Sequence, residues 1–348
     1  MNSPRDGLAT PLLQTTVAAL LAPGKGILAA DESFPTIGKR FAALGIPSTA
    51  ENRQAYRELL FTTPGLSEFI SGAILFDETL RERTSAGISL PELLAQQGIV
   101  PGIKVDKGTV ALANFPGEKF TQGLDGLRER LAGYRELGAR FTKWRAVITV
   151  GEGRPTAAAL AANAQSLALF AALSQEAGLV PIVEPEVLMD GNHTLARCAE
   201  VTTAALQAVF AALREQRVSL SAMLLKTGMV LPGTDCPQQA DTATVADATI
   251  YCLRGVVPAE VPGIVFLSGG QSDVVATERL NAIGGLGGGP WKLSFSFGRA
   301  LQDAAMKTWG GSPANVAAAQ AALHHRAQCN ALAVQGRDTA AAECTIAV

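Results

Sequence analysis

Residues 223–230 read MLLKTGMV, a run in which Lys226 is the single charged residue. A short apolar run of this kind reads as a buried strand, and a lone ammonium inside one needs a reason, because unpaired buried charge is expensive. Two readings fit the run by itself. The lysine can snorkel from a strand end to solvent, or its neutral amine can attack a ketone and form a Schiff base. Presenting a neutral lysine amine at pH 7 costs about 4–5 kcal/mol, so the second reading requires surroundings that disfavour the charge.

Seven further β-like runs surround this one in the sequence: GILAADES at 26–33, GAILFDET at 72–79, GIKVDK at 102–107, FTKWRAVI at 141–148, VPIVEPEVL at 180–188, GIVFLSGG at 263–270 and WKLSFSFGR at 291–299. Longer stretches with helical character lie among them, at 51–62, 124–137, 156–177, 194–217, 242–253 and 316–332. Alternating strand and helix signals predict a parallel sheet with helices outside it. Eight such units predict an α/β (β/α)8 TIM barrel, which is commonly one domain of this size. A doubly wound sheet is the alternative, but the first run lacks the Gly-rich dinucleotide fingerprint. GGLGGGP at 284–290 precedes the last strand and reads as a flexible loop. We therefore expect a single domain over 1–348, with its core at about 24–336, an N-terminal helical arm and a flexible C-terminal tail at about 337–348.

The bulk properties narrow the function. The 348 residues are 48% hydrophobic and carry a formal charge of −2, which argues against a strongly basic nucleic-acid surface. Cys198, Cys236, Cys252, Cys329 and Cys344 are odd in number and lack CxxC spacing, a pattern expected of reduced cytosolic thiols. The first 23 residues contain Asp6 and three prolines and read as an arm and helix, not a secretion signal. The uncharged stretch 156–175 is mostly alanine interrupted by Asn163, Gln165, Ser166 and Ser174, so a packed helix is expected there rather than a membrane span.

Charged residues recur with strand periodicity. Positions two apart share a face of a strand, which pairs Asp31 with Ser33, Lys104 with Asp106, Lys143 with Arg145 and Glu184 with Glu186. With Lys226 on the same interior, one barrel mouth gathers lysines, an arginine and carboxylates. Adjacent cations favour loss of a proton from a lysine, and closely spaced carboxylates push one another's pKa values apart. Any one pair also fits a rim ion pair; all of them together favour catalysis. Ser268, Gly269 and Gly270 follow the seventh run, and Ser296, Gly298 and Arg299 end the eighth. Loops after strands seven and eight are a frequent phosphate site in this barrel class. Glycine backbone, serine hydroxyl and the arginine fork suit that anion.

The chain closely resembles class I fructose-bisphosphate aldolases over about 24–336. The resemblance is carried by GILAADES, ENRQAYRELL, ILFDETL, GIKVDKG, TQGLDGL, KWRAVI, PIVEPEVL, LLKTGMV, FLSGGQS, SFSFGRALQ and WGG. It implies reversible cleavage of fructose 1,6-bisphosphate to glycerone phosphate and glyceraldehyde 3-phosphate, with no cofactor and no metal. Lys226 falls on the family's Schiff-base lysine, and Glu186 on its principal proton acceptor and donor, with Glu184 beside it. Lys143 falls on the lysine that assists carbinolamine chemistry, and Asp31 on the aspartate that orients the reacting hydroxyls. The ketose-end phosphate maps to Arg40, Ser268, Gly269, Gly270, Ser296, Gly298 and Arg299, and the distal phosphate to Ser33, Thr36 and Lys104. Arg145, on the face of Lys143, joins the substrate-binding set. A sugar-phosphate substrate, no nucleic-acid or membrane partner, a homotetramer and a cytoplasmic location are likewise implied.

The departures from the family pattern are local. Phe34-Pro35 replaces smaller residues of the familiar animal enzymes, Thr36 replaces a serine, and Thr227-Gly228 replaces Pro-Asn after the lysine. No tyrosine follows Tyr251, whereas many animal homologues end in one. Competing functions remain at this level. A metal-dependent aldolase needs converging ligands, yet the histidines are only His193, His324 and His325. A pyridoxal phosphate enzyme can also use a lysine and a phosphate cup, and a sugar-phosphate binder can keep the anion loops without turnover.

Overall fold

The computed structural model describes residues 6–287, 289–338 and 342–343. Eight strands pair in parallel and in chain order: β1 (Gly26–Ala30), β2 (Ile70–Leu75), β3 (Val100–Lys104), β4 (Phe141–Ile148), β5 (Val180–Val187), β6 (Leu224–Thr227), β7 (Gly263–Phe266) and β8 (Lys292–Phe297). β8 returns to β1 and closes the barrel. The expected (β/α)8 architecture is thus observed, each strand lying within or overlapping its predicted run.

Residue parity divides the barrel. Leu28, Ala30, Trp144, Val183, Leu225 and Phe266 pack outward in the cluster shared with the helices. Ile27, Ala29, Phe141, Ile182 and Leu224 form a separate inner cluster. Going up β4, β5 and β6 by two residues from Phe141, Ile182 and Leu224 reaches Lys143, Glu184 and Lys226. The interior is therefore apolar at its base and charged toward the C-terminal ends of the strands. That is the end where barrels of this class carry their chemistry.

The N-terminal helix, Asp6–Leu20, does more than the expected arm. Leu13, Val17 and Leu20, with Leu21 just beyond it, join the inner cluster and close the base of the barrel. Strand glycines make room for this plug. A Cβ at Gly72 would lie 2.5 Å from Leu20 Cδ2, and one at Gly263 would lie 2.4 Å from Leu21 Cδ2.

The predicted helices are present as Ala50–Phe61, Leu127–Glu136, Ala157–Glu176, Leu195–Glu215, Thr242–Val256 and Val316–Ala333. Thr49, Thr156, Thr194 and Asp241 each cap one by accepting a backbone N–H with the side chain. Helix Ala157–Glu176 is long and apolar enough to cross a membrane by length and composition, and it is half buried. Its Phe170 stacks on the outward-facing Trp144 with ring centroids 5.6 Å apart.

Further elements escape the periodicity reading, including helices Phe34–Ala42, Leu90–Gln96, Asp273–Leu286 and Arg299–Trp309 and the hairpin Thr109–Ala111 with Lys119–Thr121. The expected loop at 284–290 is corrected in part, because residues 284–286 close a helix. A Cβ at Gly284 would meet the Ala333 carbonyl at 2.6 Å, so glycine there permits a close helix crossing. At the C-terminus Glu343 pairs with Arg326, and the Glu343 carbonyl lies 3.2 Å from His325 Nε2. The expected flexibility of the tail concerns residues that mostly lie outside the described ones, as does Cys344. Cys198, Cys236, Cys252 and Cys329 are buried free thiols.

Candidate active site

A cavity of about 600 Å³ opens at the charged end of the barrel. It is lined by Asp31, Ser33, Thr36, Arg40, Lys104, Lys143, Arg145, Glu184, Glu186, Lys226, Ser268, Gly269, Ser296, Gly298 and Arg299. Of the predicted site residues only Gly270 is absent from this lining. It sits directly behind, where a Cβ would be 3.4 Å from Arg299 Nη2.

Lys226 is 4% exposed. Its Nζ lies 3.0 Å from Glu184 Oε1, so it does not snorkel to solvent. Glu184 also reaches Lys143, whose Nζ is 3.2 Å from Oε2 and 2.6 Å from Asp31 Oδ2. A chain of alternating charge therefore runs Lys226, Glu184, Lys143, Asp31 across the cavity floor. Burial would raise the pKa of Glu184, but Lys143 and Lys226 outweigh it and hold the carboxylate below its usual value. Burial would lower that of Lys143, but Asp31 and Glu184 hold it well above the ordinary lysine value. Lys143 is thus a fixed cation and hydrogen-bond donor.

Asp31 is governed by the same balance. Burial pushes it up, and Lys143, then Lys226, bring it down to about 2. Because its folded value lies below the unfolded 3.8, the stability it contributes is complete above 3.8 and is lost as pH falls through about 2. Asp31→Asn should therefore cost about 2 kcal/mol of stability at neutral pH, with the deficit roughly halved by pH 3. Urea unfolding at both pH values measures it. A deficit independent of pH would mean that the charge of Asp31 is not its source.

The two glutamates of β5 hold different partners. The resemblance carried the principal proton-transfer role to Glu186, but this carboxylate is engaged by Arg145 Nε, and it is Glu184 that touches Lys226. Both point inward, but Glu184 stands one pleat deeper. Its register partner on β4 is Arg145, whereas that of Glu186 is Val147. Lys104 pairs with Asp106 at 2.8 Å, and Asp106 also accepts from the Gly108 and Arg145 backbone N–H groups.

The predicted anion loops meet at the opposite wall. Gly269 and Gly270 have φ of 62° and 99°, values that glycine adopts without strain. Gly298 precedes helix Arg299–Trp309, whose N-terminus supplies backbone donors and a favourable dipole. Ser296 Oγ is buried with no protein hydrogen-bond partner among the described residues. Across the mouth, Ser33 Oγ and Thr36 Oγ1 stand 3.2 Å apart.

The family model of class I fructose-bisphosphate aldolases matches residues 12–347. The chain belongs to the class I fructose-bisphosphate aldolases. A probable class 1 aldolase of Xylella fastidiosa (strain 9a5c) is 56% identical over 326 residues, 93% of this chain and 98% of the relative. A chloroplastic aldolase of Chlamydomonas reinhardtii is 51% identical, covering 97% of this chain and 89% of its own. Among solved structures, the fructose-bisphosphate aldolase of Plasmodium falciparum, crystallised with TRAP and a small-molecule inhibitor, superposes with a TM-score of 0.95. It is 48% identical, over 97% of this chain and 98% of the other. This aldolase is accordingly a lyase.

One functional element of the aldolase escaped the sequence reading. Glu32 alternates out of the Asp31/Ser33 face, yet it also lines the cavity. Arg40, predicted to grip phosphate, is paired with Glu32 and with Asp303 at 2.8 Å, and Arg57 binds Glu32 at 2.7 Å. Gln302 Nε2 adds a bond to Glu32 at 2.9 Å. Burial would raise Glu32, but Arg57 and Arg40 hold it low. The signal available in the sequence was the unbroken acidic pair in GILAADES, which period-two reasoning splits between two faces.

Proposed function

We propose that this aldolase cleaves fructose 1,6-bisphosphate through a Schiff base on Lys226, with Glu184 rather than Glu186 moving the protons. The observation that carries the reading is the buried Lys226–Glu184–Lys143–Asp31 chain beneath an anion-binding wall. Remote phosphate binding fixes the open-chain sugar with its carbonyl over Lys226. The amine gives its proton to Glu184 and adds to the ketone carbon. Loss of that proton removes one of the cations holding Glu184 low, so acceptance becomes easier as attack proceeds. Glu184 returns that proton to the carbinolamine oxygen, then takes a second from the nitrogen and delivers it to the same oxygen. Lys143 steadies the developing charge, water leaves, and the iminium remains on Lys226. The iminium then draws the electrons of the C3–C4 bond into an enamine, while Asp31 or Glu184 accepts the C4 hydroxyl proton. Protonation at C3 and hydrolysis release the ketone product and free Lys226.

For the phosphates, Ser268, Gly269, Gly270, Ser296, Gly298 and Arg299 form the ketose-end site, and Ser33, Thr36 and Lys104 the distal one. Arg40, already held by two carboxylates, shapes the wall between them, and Arg145 with Glu186 lines the approach. Arg299→Ala should raise KM for phosphorylated substrate roughly 30-fold, the equivalent of about 2 kcal/mol. An equal loss on unphosphorylated fructose would contradict the anion role. We further propose that the chain acts as a homotetramer in the cytoplasm, a reading supported by its family and testable by light scattering. The covalent mechanism is tested by borohydride trapping with fructose 1,6-bisphosphate in the presence of chelator, followed by peptide mapping. A label on any peptide other than the one containing Lys226 would refute it.

A further inference from the structure

We propose that Phe34 is a positioning residue that holds the Ser33/Thr36 hydroxyl pair ready for the distal phosphate and so biases the enzyme toward bisphosphorylated over monophosphorylated ketoses. The inference rests on the proposed function and deepens it.

Phe34 is 48% exposed beside the polar mouth. Its ring is held from two sides. The edge of Phe76, the residue just beyond β2, meets it with centroids 5.2 Å apart at 84°. The guanidinium carbon of Arg53 lies 4.7 Å from its centroid. Arg53 is itself immobilised on helix Ala50–Phe61, donating to Glu78 Oε2 at 2.8 Å, to Glu78 Oε1 at 2.6 Å and to the Ser48 carbonyl at 2.7 Å. The ring thus links the segment between β1 and helix Phe34–Ala42 to the end of β2 and a neighbouring helix.

The residues flanking the ring, and not the ring itself, line the cavity: Ser33, Pro35 and Thr36 do, Phe34 does not. Pro35 fixes its own φ in the first turn of helix Phe34–Ala42, where the missing N–H costs no helical hydrogen bond. With the ring docked and the proline in place, the two hydroxyls are held 3.2 Å apart without cost at the moment of binding. Without the ring, substrate must order this segment, and affinity falls by that ordering. A substrate that carries only the ketose-end phosphate does not use the segment and is indifferent to the ring.

Phe34→Ala and Phe34→Tyr, assayed on fructose 1,6-bisphosphate and fructose 1-phosphate, separate these contributions. Phe34→Ala should raise bisphosphate KM roughly five- to tenfold, the scale of one aromatic pair plus one cation–π contact, with kcat within about twofold. Its kcat/KM on fructose 1-phosphate should stay within about twofold, and Phe34→Tyr, which keeps the ring, should restore bisphosphate KM. Borohydride-trapped label per chain confirms that each variant is folded and competent. Unchanged bisphosphate KM in Phe34→Ala, or an equal loss on both substrates, would overturn the proposal. The double variant Ser33→Ala, Thr36→Val serves as the separate check on the distal site. If it binds the bisphosphate normally, the assignment of that site fails, whatever the Phe34 variants do.

Discussion

Lys226→Met should bring cleavage down roughly 10⁵-fold or more, the scale seen when a covalent nucleophile is removed, and should abolish borohydride-dependent labelling by the sugar phosphate. Methionine suits the position because β6 is buried throughout and its side chain follows the path of the lysine stem. Glu184 would keep Lys143 at 3.2 Å, so the substitution does not strand a bare carboxylate. The variant should therefore fold and still bind substrate through the phosphate wall. That combination, retained binding with absent trapping, distinguishes loss of the nucleophile from collapse of the site. Continued labelling of Lys226→Met would assign the Schiff base to another amine. Lys143 would be the first suspect, but its two carboxylate partners keep it charged and make it a poor nucleophile.

How far the sequence discloses this site depends on which dimension is asked for. Period-two alternation places Lys143, Glu184 and Lys226 on the barrel interior, and the structure finds all three there, because in a strand parity alone decides the face. Parity carries no information about height along the barrel axis. Glu184 and Glu186 are equivalent by periodicity, and only the pairing of β5 with β6, which sets Ile182 beside Leu224 and Val183 beside Leu225, shows which is level with Lys226. Arg40 is a different case. Its place near the phosphate wall was legible, but its partners Glu32 and Asp303 lie 8 and 263 residues away, and no local pattern joins all three. Two of the helices that escaped notice begin at Phe34, directly after one strand-like run, and at Arg299, the last residue of another, where strand character dominates the window.

Because height separates the two glutamates of β5, their substitutions should have unequal consequences. Glu184→Gln keeps the shape but leaves the amide unable to accept the proton of Lys226. We expect cleavage to fall by about 10²–10⁴, the usual range for loss of a general acid–base group. Borohydride trapping should slow with it, since both formation and dehydration of the carbinolamine pass through the same carboxylate. Some stability should also go, because Lys143 and Lys226 would share no anion between them. Glu186→Gln touches a different pair. It loosens Arg145, which is itself in the cavity wall, and leaves the Lys226–Glu184 contact in place. Its expected effect is on substrate KM, with trapping near the wild-type rate. Rapid-quench trapping of both variants at saturating substrate reads the difference directly. If Glu186→Gln traps slowly and Glu184→Gln traps normally, substrate must rearrange the site so that the outer carboxylate displaces the inner one, and the resting geometry would not be the one that reacts.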